Sequence, residues 1–304
     1  MRKREDERAG ARRLAVDGVA FHVERRAPAR GAPATAGLPV VLLHGLTGSA
    51  STWDALATSL AEAGHPVVAV DLVGHGASDA PEAEARYAIE RVADDLVVLL
   101  GELGHRRARW LGYSMGGRVA LLLAARHPES VAALVLEGAT AGLADEGERV
   151  GRARADDALA GRIERHGVAA FVDEWERLPL WESQRSLPAA VRERLRAQRL
   201  GNTAAGLARA LRGMSVGRQP SLWEELGSLR SPTLLVAGSL DGKFTAIAHE
   251  MARALPNATM EPIEGAGHAA HLERPQAFAR AVLRFLGGVD AAEETRRGEA
   301  MGTR

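Results

Sequence analysis

The chain has 304 residues and a mass of 32.2 kDa, with 46% apolar and 26% charged residues, the balance of one large folded domain or two modest ones. Thirty-nine basic residues balance 39 acidic ones, which excludes a nucleic-acid binder working through an overall basic field. The absence of cysteine excludes a disulfide framework, thiol catalysis, an iron–sulfur cluster and a cysteine-based zinc site.

The longest apolar runs, such as residues 96–100, are far too short to span a bilayer. Residues 1–13 carry both signs of charge and lead into no apolar h-region, so a cytoplasmic location is expected. Residues 1–13 and 289–304 are charged, small-residue segments expected to be disordered tails. Residues 14–26 read as a hairpin, with alternating residues on either side of Asp17-Gly18. Residues 28–37 are rich in Ala, Pro and Gly and read as a surface loop.

Beyond that loop, short apolar runs at 39–43, 66–70, 108–111, 131–136, 232–237 and 259–263 read as strands. Helical stretches at 51–63, 87–103, 115–126, 245–254 and 275–286 alternate with them. Near-continuous apolar strands between amphipathic helices predict an α/β fold, a mostly parallel sheet flanked by helices. Residues 139–229 contain no convincing strand and hold Trp175, Trp181 and Trp223. So long an excursion is read as an inserted helical cap. The expected division is a core of residues 14–138 and 230–288, with the cap over 139–229.

The strongest chemical signal is Gly112-Tyr113-Ser114-Met115-Gly116-Gly117, which follows one predicted strand and opens the next helix. A G-x-S-x-G run between strand and helix is a nucleophile elbow, and it nominates Ser114. The bland alternative is a helix N-cap serine. A serine hydroxyl needs a base, and the base needs an orienting carboxylate. Asp241 and His268 each lie just past a predicted strand end, in the chain order this architecture uses. Glu137 is a rival acid or a structural carboxylate, and His271 a rival base or a rim residue. His65, His105 and His127 sit in polar turns and read as solvated.

His44-Gly45-Leu46-Thr47-Gly48 follows the first predicted parallel strand. A His-Gly turn there supplies a backbone N–H to an oxyanion hole, which nominates Leu46 and Met115. His44 is expected to brace the loop, and His75 is not assigned to catalysis. Arg118 lies four residues after Ser114 on the same helix face. A guanidinium there is costly unless it meets an anion, and the bland alternative is a surface residue paired to a carboxylate.

These motifs, in this order over residues 14–286, resemble the α/β-hydrolase superfamily. The resemblance implies a Ser114–His268–Asp241 triad under a helical cap. A closer resemblance rests on Gly112 to Ala120, on Val135-Leu136-Glu137-Gly138-Ala139 with Gly142-Leu143, and on Asp241-Gly242-Lys243-Phe244. Arg149, Arg152, Arg154, Trp175 and Arg199 carry it through the cap. Together they look like the 2-succinyl-6-hydroxy-2,4-cyclohexadiene-1-carboxylate synthases of menaquinone biosynthesis. Leu46 departs from that pattern where a Phe is expected.

That family implies a lyase that eliminates pyruvate from a tricarboxylate ring substrate, with the triad as base and no cofactor or metal. It implies Arg118, Arg152 and Arg199 as carboxylate binders, and Tyr113 and Trp175 as substrate contacts. Trp175 reads equally as cap–body packing. Only Lys3 and Lys243 are lysines, so the basic residues are almost all arginines, which suit bidentate carboxylate binding. Seven arginines against the single acid Glu193 make residues 191–220 locally basic. The expected partner is thus a small polycarboxylate, with no nucleic acid and no membrane insertion, and with a homo-oligomer left open. Two other functions compete: a serine hydrolase (an esterase or C–C bond hydrolase) and a non-catalytic binding protein on the same fold.

Overall fold

The structure is a computed structural model that describes residues 10–32, 35 and 37–302, with side chains through residue 295. Its first elements are two strands, β1 (Gly10–Val16) and β2 (Val19–Arg26), paired antiparallel. Asp17 and Gly18 join them with φ of 44° and 77°, the two positive values of a type I′ turn, as the Asp-Gly pair predicts. Then follow β3 (Val40–Leu43), α1 (Asp54–Glu62), β4 (Val67–Val70), α2 (Ile89–Glu102), β5 (Ala108–Tyr113), α3 (Met115–Arg126) and β6 (Val131–Glu137). The cap follows, and β7 (Thr233–Gly238) returns to the sheet.

The eight strands lie in the order β1-β2-β4-β3-β5-β6-β7-β8, with β8 spanning Ala258–Ile263. From β4 to β8 every pairing is parallel. Alternation along β3 shows why both faces need cover. Val41 and Leu43 pack into one core with Val92 and Leu96 of α2 and Val119 of α3. Val40 and Leu42 pack into the other with Leu56 and Leu60 of α1.

The cap consists of α4 (Glu146–Trp175), α5 (Ala189–Leu200) and α6 (Ala204–Gly213), with a short helical turn over Pro179–Ser186. Asp145 caps the start of α4 by accepting from Glu148 N at 2.8 Å. Gly167, at φ 81° and ψ 172°, breaks α4 in a conformation other residues avoid. The cap is seated closely on the body. A Cβ at Gly206 of α6 would stand 2.2 Å from Gly74 O, and one at Gly213 would stand 2.4 Å from Tyr87. Asn202 adds hydrogen bonds to Thr47 O and from Gly76 N, both at 3.1 Å.

Three expectations are corrected. Residues 10–13 are not a tail, because β1 begins at Gly10 and pairs with Arg25. Nor are residues 289–302. After α7 (Gly242–Ala254) and the short α8 (Ala270–Glu273), the last helix, α9, runs Pro275–Gly302. Its extension is anchored from the sheet: buried Arg109 of β5 pairs with Asp290, and Arg107 with Glu293. Residues 1–9 and 303–304 lie outside the described residues. Third, His65 is buried rather than solvated, its Nδ1 accepting from Arg109 at 3.0 Å.

Candidate active site

Ser114 sits at the turn from β5 into α3 with φ 51° and ψ −107°, a strained conformation for a non-glycine residue. The glycines around it are steric requirements. A Cβ at Gly112 would lie 2.3 Å from Gly116 O, and one at Gly116 would lie 2.3 Å from Leu43 O. The turn thereby projects the serine past the C-terminal edge of the sheet. Its hydroxyl makes no cap bond to the helix, so the first-turn N–H groups of α3, Met115 among them, stay open at a positive helix end.

Ser114 Oγ lies 3.2 Å from His268 Nε2, and His268 Nδ1 lies 2.7 Å from Asp241 Oδ2. The carboxylate accepts a hydrogen bond from Nδ1–H, which leaves Nε2 free to accept from the serine hydroxyl. The other Asp241 oxygen caps α7 by accepting from Phe244 N at 3.2 Å. Gly138, with φ 55°, leaves room for the imidazole, since a Cβ there would stand 2.9 Å from His268 Cε1. Such a chain can accept a proton at Ser114 and disperse the charge through His268 to Asp241.

The rivals take other places. Glu137 is fully buried and bonds His271, accepting from its N at 3.0 Å and from Nδ1 at 2.7 Å. His271 is therefore no rim residue: it is buried between Trp53 and Tyr113, with ring centroids 4.7 Å from each. His44 braces its loop. Its Nε2 accepts from Leu72 N at 3.0 Å, so Nδ1 carries the proton and donates to Gly45 O at 2.8 Å. Burial lowers its pKa and keeps it neutral. Gly48 N closes the turn onto Gly45 O at 2.9 Å, with Leu46 between them at the cavity wall.

Above Ser114 lies a cavity of about 310 Å3 between body and cap. Every nominated residue except Asp241 lines it; Asp241 stands behind His268. Four permanent cations, Arg118, Arg152, Arg199 and Lys243, face one carboxylate, Asp156, so the cavity favours an anion. Arg118 donates to Met214 O and Gln219 Oε1, each at 2.8 Å, and makes no ion pair among the described residues. Burial first, and Arg152 second, lower its pKa to about 10, so it stays charged at neutral pH. The surface-pair alternative for Arg118 is thus excluded.

The other two arginines already hold carboxylates. Arg152 meets Asp156 at 2.9 Å, and Arg199 meets Glu176 at 2.8 Å while lying over Trp181 at 5.5 Å. Trp175 stacks on Phe171 and Trp181, with centroids 5.3 and 5.5 Å away, and its Nε1 has no partner. Tyr113 lies against both histidines, 5.4 Å from His268 and 4.7 Å from His271. Asp156, Gln219 and Gln184 were not foreseen. Asp156 carried a signal, the i,i+4 spacing from Arg152; the glutamines carried none.

The profile of the alpha/beta hydrolase fold matches residues 39–275. The chain belongs to that family. Within the alpha/beta hydrolases, a Bacillus subtilis (strain 168) protein, provisionally named 2-succinyl-6-hydroxy-2,4-cyclohexadiene-1-carboxylate synthase, is 41% identical over 270 residues. The match covers 89% of this chain and 96% of that one. The synthase of that name from Serratia proteamaculans (strain 568) is 32% identical over 248 residues, 81% of this chain and 92% of its own. Among solved structures, MenH from S. aureus aligns with a TM-score of 0.82 at 31% identity, covering 88% of this chain and 98% of that chain. This alpha/beta hydrolase thus groups with the synthases. No helix among its described residues is long and apolar enough to cross a membrane.

Proposed function

We propose that this alpha/beta hydrolase is a 2-succinyl-6-hydroxy-2,4-cyclohexadiene-1-carboxylate synthase acting in the cytoplasm. It eliminates pyruvate from 2-succinyl-5-enolpyruvyl-6-hydroxy-3-cyclohexene-1-carboxylate. The observation that carries this reading is Arg118: a half-buried guanidinium in the cavity wall with no carboxylate of its own, one helical turn from Ser114. A simple ester gives such a cation nothing to bind, whereas a tricarboxylate does.

In this reading His268 draws the Ser114 proton, and the serine oxygen removes the ring proton α to the succinyl ketone. The electrons move onto the ketone oxygen, where Leu46 N–H and Met115 N–H stabilise a dienolate. The dienolate re-forms the ketone and expels the enolpyruvyl oxygen, completing the 2,5-elimination; the released enolate takes a proton to become pyruvate. Asp241 orients His268 and balances its transient charge. Arg118, Arg152 and Arg199 hold carboxylates, and Trp175 and Tyr113 bound the ring.

The test is pyruvate release from the enolpyruvyl substrate by purified protein with chelator and no added cofactor, beside a panel of p-nitrophenyl esters. Pyruvate release with slow ester turnover is expected. Rapid ester turnover without pyruvate release would make the protein a serine hydrolase, and neither activity would leave a binding protein.

A further inference from the structure

A second basin, of about 270 Å3, opens on the outer side of the cap between the Pro179–Ser186 turn and α5. It shares Trp181, Gln184, Leu195 and Arg199 with the wall of the inner cavity, so the two spaces lie on either side of one partition. Four arginines and two glutamates line it, and two of the arginines, Arg185 and Arg196, also pair with Glu182 and Asp173. Glu176 bridges two of the guanidiniums, accepting from Arg196 at 2.7 Å and from Arg199 at 2.8 Å, while Asp173 accepts from the other arm of Arg196 at 2.6 Å. The side chain of Arg192, exposed on α5, has no ion pair or hydrogen bond among the described residues. In the partition, Gln184 Nε2 and Arg199 Nε are buried without partners, though both residues are about 95% covered. Buried donors left open are costly and are rare without a ligand or water to meet them.

We infer that this basin is an outer carboxylate site serving the inner cavity. Arg192 and Arg196 receive the anion, and Glu176 is the protein's own competing carboxylate, displaced from Arg196 and Arg199 when a ligand arrives. The inference rests on the lyase reading, whose reaction supplies two carboxylate sources, the arriving tricarboxylate and the departing pyruvate. Steering by such charges changes the rate of encounter more than the chemical step.

The experiment compares wild type, Arg192→Glu and Glu176→Gln full-length enzymes in kcat, kcat/KM across ionic strength, and inhibition by added pyruvate. Arg192→Glu is expected to lower kcat/KM about fivefold at low salt and to weaken its salt dependence, with kcat within about twofold. Glu176→Gln moves KM the other way, downward. A fall in kcat/KM with unchanged pyruvate inhibition assigns the basin to the substrate; weaker pyruvate inhibition alone assigns it to the product. Arg192→Glu equal to wild type in all three measurements overturns the site. A wild type that releases no pyruvate overturns the lyase reading instead. The basin is then read by titrating pyruvate into wild type and Arg192→Glu by NMR, where equal binding overturns it.

Discussion

Arg152 lies close enough to Arg118 to lower its pKa, adding to the effect of burial, so the cap and the elbow helix hold two like charges toward one cavity. Asp156, paired to Arg152 at 2.9 Å, offsets part of that repulsion, and an anion between the two arginines offsets more. Arg118→Ala should therefore raise KM and lower kcat, with about 2–4 kcal/mol lost in transition-state binding, roughly 30- to 1,000-fold in kcat/KM. Circular dichroism should show the fold retained. An unchanged KM would sink the anion-site argument.

Ser114 combines its proposed catalytic role with backbone strain. Ser114→Ala should lower kcat by about 100-fold or more, the usual contribution of a positioned base. Ser114→Gly should be equally inactive yet more stable by about 1 kcal/mol, because glycine accepts φ 51° without penalty. A calorimetric Tm no higher than wild type would show that the elbow stores no strain.

Asp241 and Glu137 should separate cleanly. Asp241→Asn is expected to drop kcat by about 1,000-fold or more while holding its helix cap and stability. Glu137→Gln should do the reverse. It spares most of kcat and costs about 2–3 kcal/mol in urea unfolding, because an amide cannot accept both bonds from His271. The opposite pattern would exchange the two roles.

Truncation after Gly288 should destabilise the sheet rather than trim a tail. It removes Asp290 and leaves the buried Arg109 guanidinium without its counter-charge, a loss of about 3–5 kcal/mol. Urea midpoints of full-length and truncated protein measure it, and equal midpoints would refute the anchor.

Stability should fall on mild acidification. Burial holds His75 near pKa 3 and His65 near 4, and lowers His44. Below pH 6.5 the unfolded chain takes up protons that the native state refuses. Each histidine then removes about 1 kcal/mol of stability per pH unit, down toward its folded pKa. Urea unfolding at pH 7.5 and 5.5 tests the slope, and His75→Gln should flatten it; identical slopes would discount the buried histidine.

Much of this molecule was legible from local pattern. The Asp17-Gly18 hairpin, the alternation of apolar strands with helices, and the elbow at Ser114 depend on neighbours in the chain, so spacing reveals them. Asp241 and His268 were readable as residues past strand ends, because a parallel sheet gathers those ends along one edge. The tails were misread because polarity was the only local cue. Residues 10–13 are ordered by pairing with β2, and residues 289–295 by contacts with Arg107 and Arg109, 186 and 181 positions away from their partners Glu293 and Asp290.

By itself, then, the sequence determined the fold class, the nucleophile candidate and an arginine-rich cap. Only the tertiary structure decided which carboxylate serves which histidine, and which arginine stands without an anion. Those outcomes depend on burial and on partners brought together across the chain: Glu137 onto His271, Glu176 onto Arg199, and only neutral oxygens onto Arg118. A charge count near zero could not report that arrangement. Free energy of charge depends on where each group is desolvated and what it then meets, not on the sum.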